Sequence, residues 1–502
     1  MEKKYVLVID EGTTGLRAHL FNKNMKVIGQ HYEKVNSYYP VEKAVQQNPM
    51  EIYKSTVRAI RTAVNQAGIA AEEIQSIAIT AQRGSFTFWN KKTGQPLYDT
   101  IVWHDTRGLI TKDKFANDAE FCKQHPRMAS IMEYLAFNPF TIIDLLLQEN
   151  PELKAAMKDS NTAWGLIDSW LFYKLSGGKV HATCASMASA SSLYSFNDRN
   201  WDFGLLPYIS MRDEMMPEIK NEIDDYGMLD KEILGVEIPI VASIADQQAS
   251  LFGEGCHEAG SVKCTIGTGA FICVNVGKNR TGNKNFYEMC AWRFDGEDTY
   301  EMEGFLPTAG ACLEWGKNNL NLISDFETMN TEAESVPNSC GVYFVPAISG
   351  MDGMPFNNPT GRASFMGISA NSKKPHFIRA MIEGIAYSMV FMFEHVVNSM
   401  PGIKMELIML DGGVSRNDLL CQTIATLTGA TVVRPLVTEA TAMGAAELAA
   451  ISAKWFQANE VRRLIKTEHE FQPITNEEQL AEAKKQYSMW QKAVERSKDW
   501  IQ

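Results

Sequence analysis

The stretch Tyr5 to Arg17, Tyr-Val-Leu-Val-Ile-Asp-Glu-Gly-Thr-Thr-Gly-Leu-Arg, limits what this chain can fold into more than any other. Tyr5 to Ile9 is an unbroken, β-branched apolar run, the pattern of a strand buried on both faces. A carboxylate, Asp10, follows at its carboxyl end, where ligands of α/β sheets collect. Beyond Gly12-Thr13-Thr14, Leu16, Ala18 and Leu20 alternate with Arg17, His19 and Phe21, so a second strand follows and the turn is a hairpin. A P-loop needs Gly-Lys-Ser/Thr opening a helix, and a dinucleotide fingerprint needs three spaced glycines doing the same; neither is present. Two readings stand side by side. One is an ordinary hairpin after a core strand. The other is a turn whose N–H groups and threonine hydroxyls wrap a phosphate, with an acid for a metal and an arginine for an anion.

The same unit returns halfway along. Val262 to Ile266 reads as a strand, Gly267-Thr268-Gly269 as a turn and Ala270 to Val276 as a second strand, so the two halves look like an internal duplication. A chain of 502 residues is too long for one core. Two domains, 1–253 and 254–502, are expected. The net charge of −12, with no basic cluster, argues against nucleic acid or an anionic membrane as partner. Nine cysteines lie scattered without a Cys-x-x-Cys pair, which signals neither zinc nor a disulfide framework and fits a reducing cytoplasm. The amino terminus runs straight into a strand and no apolar stretch reaches the ~18 residues of a spanning helix, so neither signal peptide nor membrane anchor is expected.

Between the two hairpins, Asn48, Pro49 and Glu51 have the spacing of a capped helix start, with Tyr53, Val57, Ile60 and Val64 as its apolar stripe. Ile74 to Thr80 is the next strand and ends in Ala81-Gln82-Arg83-Gly84-Ser85, where Arg83 is either a solvated turn residue or a fork donor beside close backbone. Ile101 to Asp105 ends in Trp103, His104 and Asp105, and Trp103 fits a core position as well as a pocket. Ala119 to Ser160 is helical in pattern with a break at Asn138-Pro139-Phe140, and 179–235 is uninformative. Ile238 to Ala242 reads as a buried strand leading to Asp246, an acid at a helix start, which is either dipole stabilisation or a functional carboxylate. In the second half a long helix spans Phe377 to Val397, and a strand from Leu407 to Leu410 ends in Asp411-Gly412-Gly413. The next helix stops at Gly429, and Thr475 with Glu478 has capping-box spacing for the last one. Two phosphate-sized hairpins and a strand, Asp-Gly-Gly and helix unit are economically explained by one nucleotide.

On Asp10 to Arg17, Lys91 to Arg107, Ile167 to Leu175, Ala245 to Gly253, Gly267 to Phe271, Ala363 to Ile385 and Asp411 to Gly444, nearly the full length, the chain resembles the FGGY carbohydrate kinases, and within them the glycerol kinase branch. The resemblance implies an α/β fold of two ribonuclease H-like domains, of the actin and sugar-kinase type, with an interdomain cleft. It implies an ATP- and Mg²⁺-dependent transfer of a phosphoryl group to a terminal hydroxyl of a small polyol or sugar, in a cytoplasmic homo-oligomer, dimer or tetramer. By resemblance Asp10 holds Mg²⁺ through water; Thr13, Thr14 and Arg17 bind phosphate, as do Gly267 and Thr268. Gly310, Glu314, Gly413 and Asn417 lie at the nucleotide, with Gly413 and Asn417 at its adenosine. Asp246 falls on the catalytic base, and Arg83, Trp103, Gln247 and Phe271 on the acceptor pocket.

The chain departs from that pattern where the acceptor would be read. Gly84 stands in place of a glutamate, Phe140 in place of a tyrosine, Ile142-Ile143-Asp144 in place of a lysine signature, and Glu314 where glutamine is frequent. Gly84 removes an acceptor and leaves empty space beside Arg83, and Phe140 supplies no hydroxyl; losing partners for a substrate hydroxyl costs discrimination, so weak glycerol turnover is expected and a tetritol, pentitol or ketopentose becomes the alternative acceptor. A non-catalytic actin-like ATPase or sugar sensor is the reading from another class. Neither a chaperone's further substrate domain nor a helix-turn-helix arm is legible.

Overall fold

The expected hairpin forms as β1 (Tyr5–Gly12) and β2 (Gly15–Asn22), and β3 (Val27–Lys34) extends it to a meander, antiparallel neighbours in that order. The structure, a computed structural model, describes residues 2–134, 137–283, 286–351, 356, 358–436, 439–457, 460 and 466–501. The chain divides into two units. Unit 1 comprises Met1–Gly253, Met289–Thr299 and Glu439–Leu464; unit 2 comprises Glu254–Glu288, Tyr300–Thr438 and Ile465–Gln502.

In unit 1, β4 (Ile74–Ala81) pairs parallel with β1, and β5 (Ile238–Ala245) pairs parallel with β4. The sheet order is therefore β5-β4-β1-β2-β3, with a short Met228–Leu229 strand outside β5. Val6 to Ile9 are fully buried, as the unbroken apolar run requires. Helix α1 (Pro49–Ala67) packs on β2 and β3 through Ile52, Ala59, Ile60, Ala63 and Val64. Asn48 caps it by accepting the N–H groups of Met50 and Glu51. A second sheet joins Ser37–Tyr38, Gln46–Gln47, Thr100–Ile101, Phe86–Asn90 and Thr162–Leu166 in that order. Four short helices cover 119–156, three of them opening on a proline, among them α2 (Pro139–Glu149) behind its cap Asn138. The uninformative region 179–235 forms only short elements, the longest among the described residues being the helix Ala185–Ala190.

Helix α3 (Asp246–Gly253) follows β5 directly and packs on a helix from the far end of the chain. In unit 2, β6 (Val262–Ile266) and β7 (Ala270–Gly277) form the second hairpin. They join β8 (Tyr287–Phe294), β9 (Glu297–Leu306), β10 (Leu407–Asp411), β11 (Thr431–Pro435) and β12 (Thr467–Phe471) in the order β8-β9-β7-β6-β10-β11-β12, Met289–Thr299 of β8 and β9 being counted with unit 1. The β9-β7-β6 pairs are antiparallel and the β6-β10-β11 pairs parallel, which repeats the β3-β2-β1-β4-β5 arrangement of unit 1. The duplication and the ribonuclease H-like topology read from the sequence are thus realised.

Helix α4 (Gly310–Asn318) follows β9, and α5 (Lys374–Asn398) buries Ile378, Ile382, Ile385 and Met389, the expected stripe. Helix α5 has the length and apolarity of a membrane span, yet 78% of its most apolar window is buried within the protein. Helix α6 (Asp418–Thr428) lies beside it. Helix α7 (Ala440–Ser452) belongs to unit 1, and α8 (Glu477–Ser497) closes unit 2. Asn476, and not Thr475, caps α8, its side-chain oxygen accepting the Gln479 N–H, so the capping signal was displaced by one residue.

Helices α3 and α7 touch almost backbone to backbone. A Cβ built on Gly444 would lie 1.9 Å from the carbonyl oxygen of Ala249, and one on Gly253 would lie 2.3 Å from that of Ala440. Both obstacles are main chain, so relief requires the helices to part. Gly444→Ala should destabilise unit 1 by about 3 kcal/mol, the upper end for an overpacked core. Urea unfolding followed by circular dichroism checks this, and a loss under ~0.5 kcal/mol would show that the close approach is dispensable.

Candidate active site

The parallel registers of β1, β4 and β5 set the carboxyl ends of these strands level. Glu11 pairs with Ala81, and Ala81 with Ala245, so Asp10, Gln82, Arg83 and Asp246 leave the sheet at one edge. Asp10 also faces Arg17 across the hairpin and Thr80 on β4. Burial first, and then the charge of Asp246, push Asp10 up to about 7; Arg17 opposes the shift and Glu439, just before α7, adds to it. Glu11 is fully buried and is raised to about 8, chiefly by burial. Its Oε1 accepts from Gln82 Nε2 at 3.1 Å, while Oε2 has no protein partner among the described residues. Asp10, Glu11 and Asp246 offer oxygen donors only, the chemistry that fits Mg²⁺.

The Thr13-Thr14 turn is held from three sides. Gln47 Nε2 donates to the Thr13 carbonyl at 2.7 Å, and the Thr14 carbonyl accepts from Val35 N–H at 3.2 Å and from the Tyr32 hydroxyl at 3.0 Å. Trp103 Nε1 donates to Thr13 Oγ1 at 2.8 Å, and Thr13 Oγ1 donates to Gln82 Oε1 at 2.9 Å. A continuous polar chain therefore runs from Trp103 through Thr13 and Gln82 to Glu11. Thr14 and Arg17 are exposed, and the Arg17 guanidinium lies over the Tyr32 ring, 5.1 Å from its centroid.

Asp246 opens α3 and its Oδ1 accepts the Gln247 N–H at 2.7 Å. Arg83 Nε stands 3.6 Å from the same oxygen, and its Nη1 donates to Met289 Sδ at 3.3 Å. Asp246 therefore stands at the helix start and also faces an arginine. Trp103 is half exposed beside them, with its backbone N–H on Ser85 Oγ at 3.1 Å. Its neighbour Asp105 is structural, buried and bidentate with Arg107.

Two sequence expectations change here. Gly84 does not open a space. Its φ is 75°, a left-handed conformation that favours glycine, and a Cβ there would lie 2.8 Å from Phe137 Cε1. Phe140 lies in the core, 0% exposed, its ring stacked on Phe121 at 5.6 Å and edge-on to Phe115 at 4.7 Å. A ring so enclosed does not line a pocket. The aromatic beside Arg83 and Gly84 is Phe137, three residues earlier. Gln82, Glu11 and Phe137 were not singled out from the sequence, although two successive acids at a strand end are a signal for Glu11.

In unit 2 the Gly267-Thr268-Gly269 turn is fastened to the start of α4. Thr268 O accepts from the N–H groups of Ala309 and Ala311 at 2.9 Å, and Gly267 O from Gly310 at 2.9 Å. Gly267 and Thr268 are exposed, and a Cβ built on Gly267 or on Gly413 would meet nothing within 4 Å, so backbone at both points is open to a ligand. Glu314 is exposed on α4 and accepts from Asn318 Nδ2 at 3.3 Å. Asn417 is otherwise placed: 4% exposed, it caps α6 by accepting Leu420 N–H at 2.8 Å and donates to Asn330. Its side chain shapes the turn after Gly413. Phe271 on β7 is half exposed against Phe305, with ring centroids 4.5 Å apart.

Residues 5–253 match the N-terminal and 262–453 the C-terminal domain model of the FGGY family of carbohydrate kinases. The chain belongs to that family. A glycerol kinase of Trichodesmium erythraeum is 36% identical over 505 residues, covering 99% of both chains. A crystal structure of Plasmodium falciparum glycerol kinase with ADP superposes with a TM-score of 0.89 at 27% identity, covering 100% of this chain and 99% of that one. A ligand-bound xylulose kinase of Lactobacillus acidophilus shares the fold, with a TM-score of 0.82 at 18% identity over 98% of each chain.

The polar chain in unit 1 predicts a difference between the two hairpins. Thr13→Val strands the Trp103 N–H and the Gln82 carbonyl, and should cost about 1–3 kcal/mol of stability without ligand. Thr14→Val and Thr268→Val, at exposed positions, should stay within about 0.5 kcal/mol. Denaturation of the ligand-free variants checks both.

Proposed function

We propose that this FGGY kinase transfers the γ-phosphoryl group of ATP to a terminal hydroxyl of a small polyol, glycerol first among them. The observation that carries the reading is the convergence of Asp10, Arg83 and Asp246 at level strand ends of unit 1. The glycerol kinases among its relatives support the acceptor. The case for a larger polyol or ketose rested on an empty space at Gly84, which Phe137 fills.

In this reading Asp246 aligns the attacking hydroxyl and takes its proton late, as suits a loose phosphoryl-transfer transition state. Arg83, 3.6 Å from Asp246, balances that carboxylate and gives hydrogen bonds to the acceptor's further hydroxyls. Trp103 covers the acceptor's C–H face. Thr14, Arg17, Gly267 and Thr268 bind phosphate oxygens; Gly310, Glu314 and Gly413 line the nucleotide, and Asn417 fixes the turn beside it. Gln247 and Phe271 complete the acceptor contacts. Asp10 would hold Mg²⁺ through water, and the ion when bound supplies neutralisation of the charge on the nucleotide's phosphates. A cytoplasmic homo-oligomer is part of the same reading, and nine cysteines, seven of them buried, suit a reducing compartment.

ADP release coupled to NADH oxidation, with MgATP and glycerol, is the direct measurement. Asp246→Asn should keep the fold and ATP binding while lowering kcat by about 10²-fold or more. Thr14→Val and Thr268→Val should each weaken MgATP binding in calorimetry. Turnover of Asp246→Asn near that of wild type would remove Asp246 from the base's role.

A further inference from the structure

The place where a side chain at position 84 would project is already taken. Gly84 is buried, and a Cβ on it would lie 2.8 Å from Phe137 Cε1, 3.5 Å from Phe137 Cδ1 and 3.4 Å from Trp103 Cβ. Two aromatic residues thus meet over the backbone next to Arg83, which itself reaches Asp246. Trp103 is pinned by its indole N–H on Thr13 Oγ1 at 2.8 Å, and Phe137 immediately precedes Asn138, whose Oδ1 accepts the Phe140 N–H at 3.0 Å to start α2.

We propose that Phe137 is a specificity-determining residue: with Trp103 it walls the acceptor pocket beside Arg83 and confines it to polyols of three carbons. The inference rests on the function proposed above. An aromatic face accepts the C–H side of a polyol without leaving a buried polar group unpaired, so the acceptor turns C–H, and not O–H, toward position 84. The hydroxyls are then read from the other side, by Arg83 and Asp246. An added CHOH unit would have to displace the ring. Steric exclusion of one extra carbon in a closed pocket commonly amounts to about 10- to 200-fold in kcat/KM.

The test uses the full chain with MgATP and compares glycerol, erythritol and xylitol as acceptors. Wild type should favour glycerol over erythritol by at least about tenfold in kcat/KM. Phe137→Ala should narrow that ratio by about tenfold, mostly through the acceptor KM, with the KM for MgATP kept within about twofold. Phe137→Val should narrow it less, and it decides the matter if the alanine variant does not fold. Gly84→Ala, which drives a methyl group at the ring, should lower kcat/KM for glycerol, and Phe137→Ala in the same chain should restore part of the loss. An unchanged ratio in the folded variants, or a wild type that prefers erythritol, overturns this inference and leaves the kinase reading in place. A wild type that phosphorylates none of the three acceptors overturns both.

Discussion

Parallel pairing of β1, β4 and β5 is the constraint on which the unit 1 site depends. A strand register is fixed by the alternation of its side chains, and slipping by one residue would turn every side chain to the opposite face. Here Val6 to Ile9 and Ile77 to Ile79 are buried on both faces, so the backbone pairing itself holds the register. It runs unbroken from Val6 to Glu11 and from Ala242 to Ala245 against β4, with the shifts at Tyr5/Val6 and Ile240/Ala242 away from the ends that carry Asp10, Arg83 and Asp246. The price of gathering acids there is visible in Asp10 and Glu11, both raised, chiefly by burial. Helix α7 also contributes, bringing Glu439 to the same edge from more than 400 residues along the chain. Its contact with α3 is so close that only glycine fits at Gly253 and Gly444, which ties the helix that Asp246 opens to its neighbour.

The strands of the two hairpins were legible because each is a local signal. A β-branched run, a Gly-Thr turn and an alternating run specify a hairpin without reference to anything distant, and the repeat of the pattern at Gly267 specified the duplicate. Asp10 and Asp246 were legible for the same reason, as acids at the end of apolar runs. What the sequence hid is contact across long separations. Gln82 matters because it bridges Glu11 and Thr13, and Phe137 because it lies on Gly84. No window of neighbouring residues contains either fact.

Resemblance has the opposite weakness. It places a residue by its position in a pattern and is silent on what the side chain does there. Phe140 fell on a pocket position and is core; Asn417 fell on a nucleotide position and spends its amide on a helix cap and on Asn330. Gly84 was read as a lost acceptor and an empty space. The glycine is in fact what its φ of 75° and the Phe137 ring favour together, so the loss of the carboxylate and the presence of the ring are one change.

The two hairpins also show how one topology is divided between two tasks. In unit 1 the residue two before the turn glycine is Asp10, paired in register with Thr80 on the parallel neighbour and Arg17 on the antiparallel one. In unit 2 the equivalent residue is Thr265, paired with Asp411 on the parallel neighbour and Phe271 on the antiparallel one. Acid and threonine have exchanged strands, and the arginine has become an aromatic. A carboxylate in the hairpin strand faced by an arginine suits phosphate and cation chemistry at the turn. Moving the carboxylate to the neighbouring strand leaves no acid beside the turn of this hairpin, and of the two glycines after Asp411 only Gly413 presents open backbone, Gly412 being packed on the main chain of Ile266. Phe271 then adds apolar surface where Arg17 carries charge in unit 1. The fold is repeated, but the exchange of one Thr-Asp pair sets an acid against an arginine at the strand end of one copy and a threonine against an aromatic in the other.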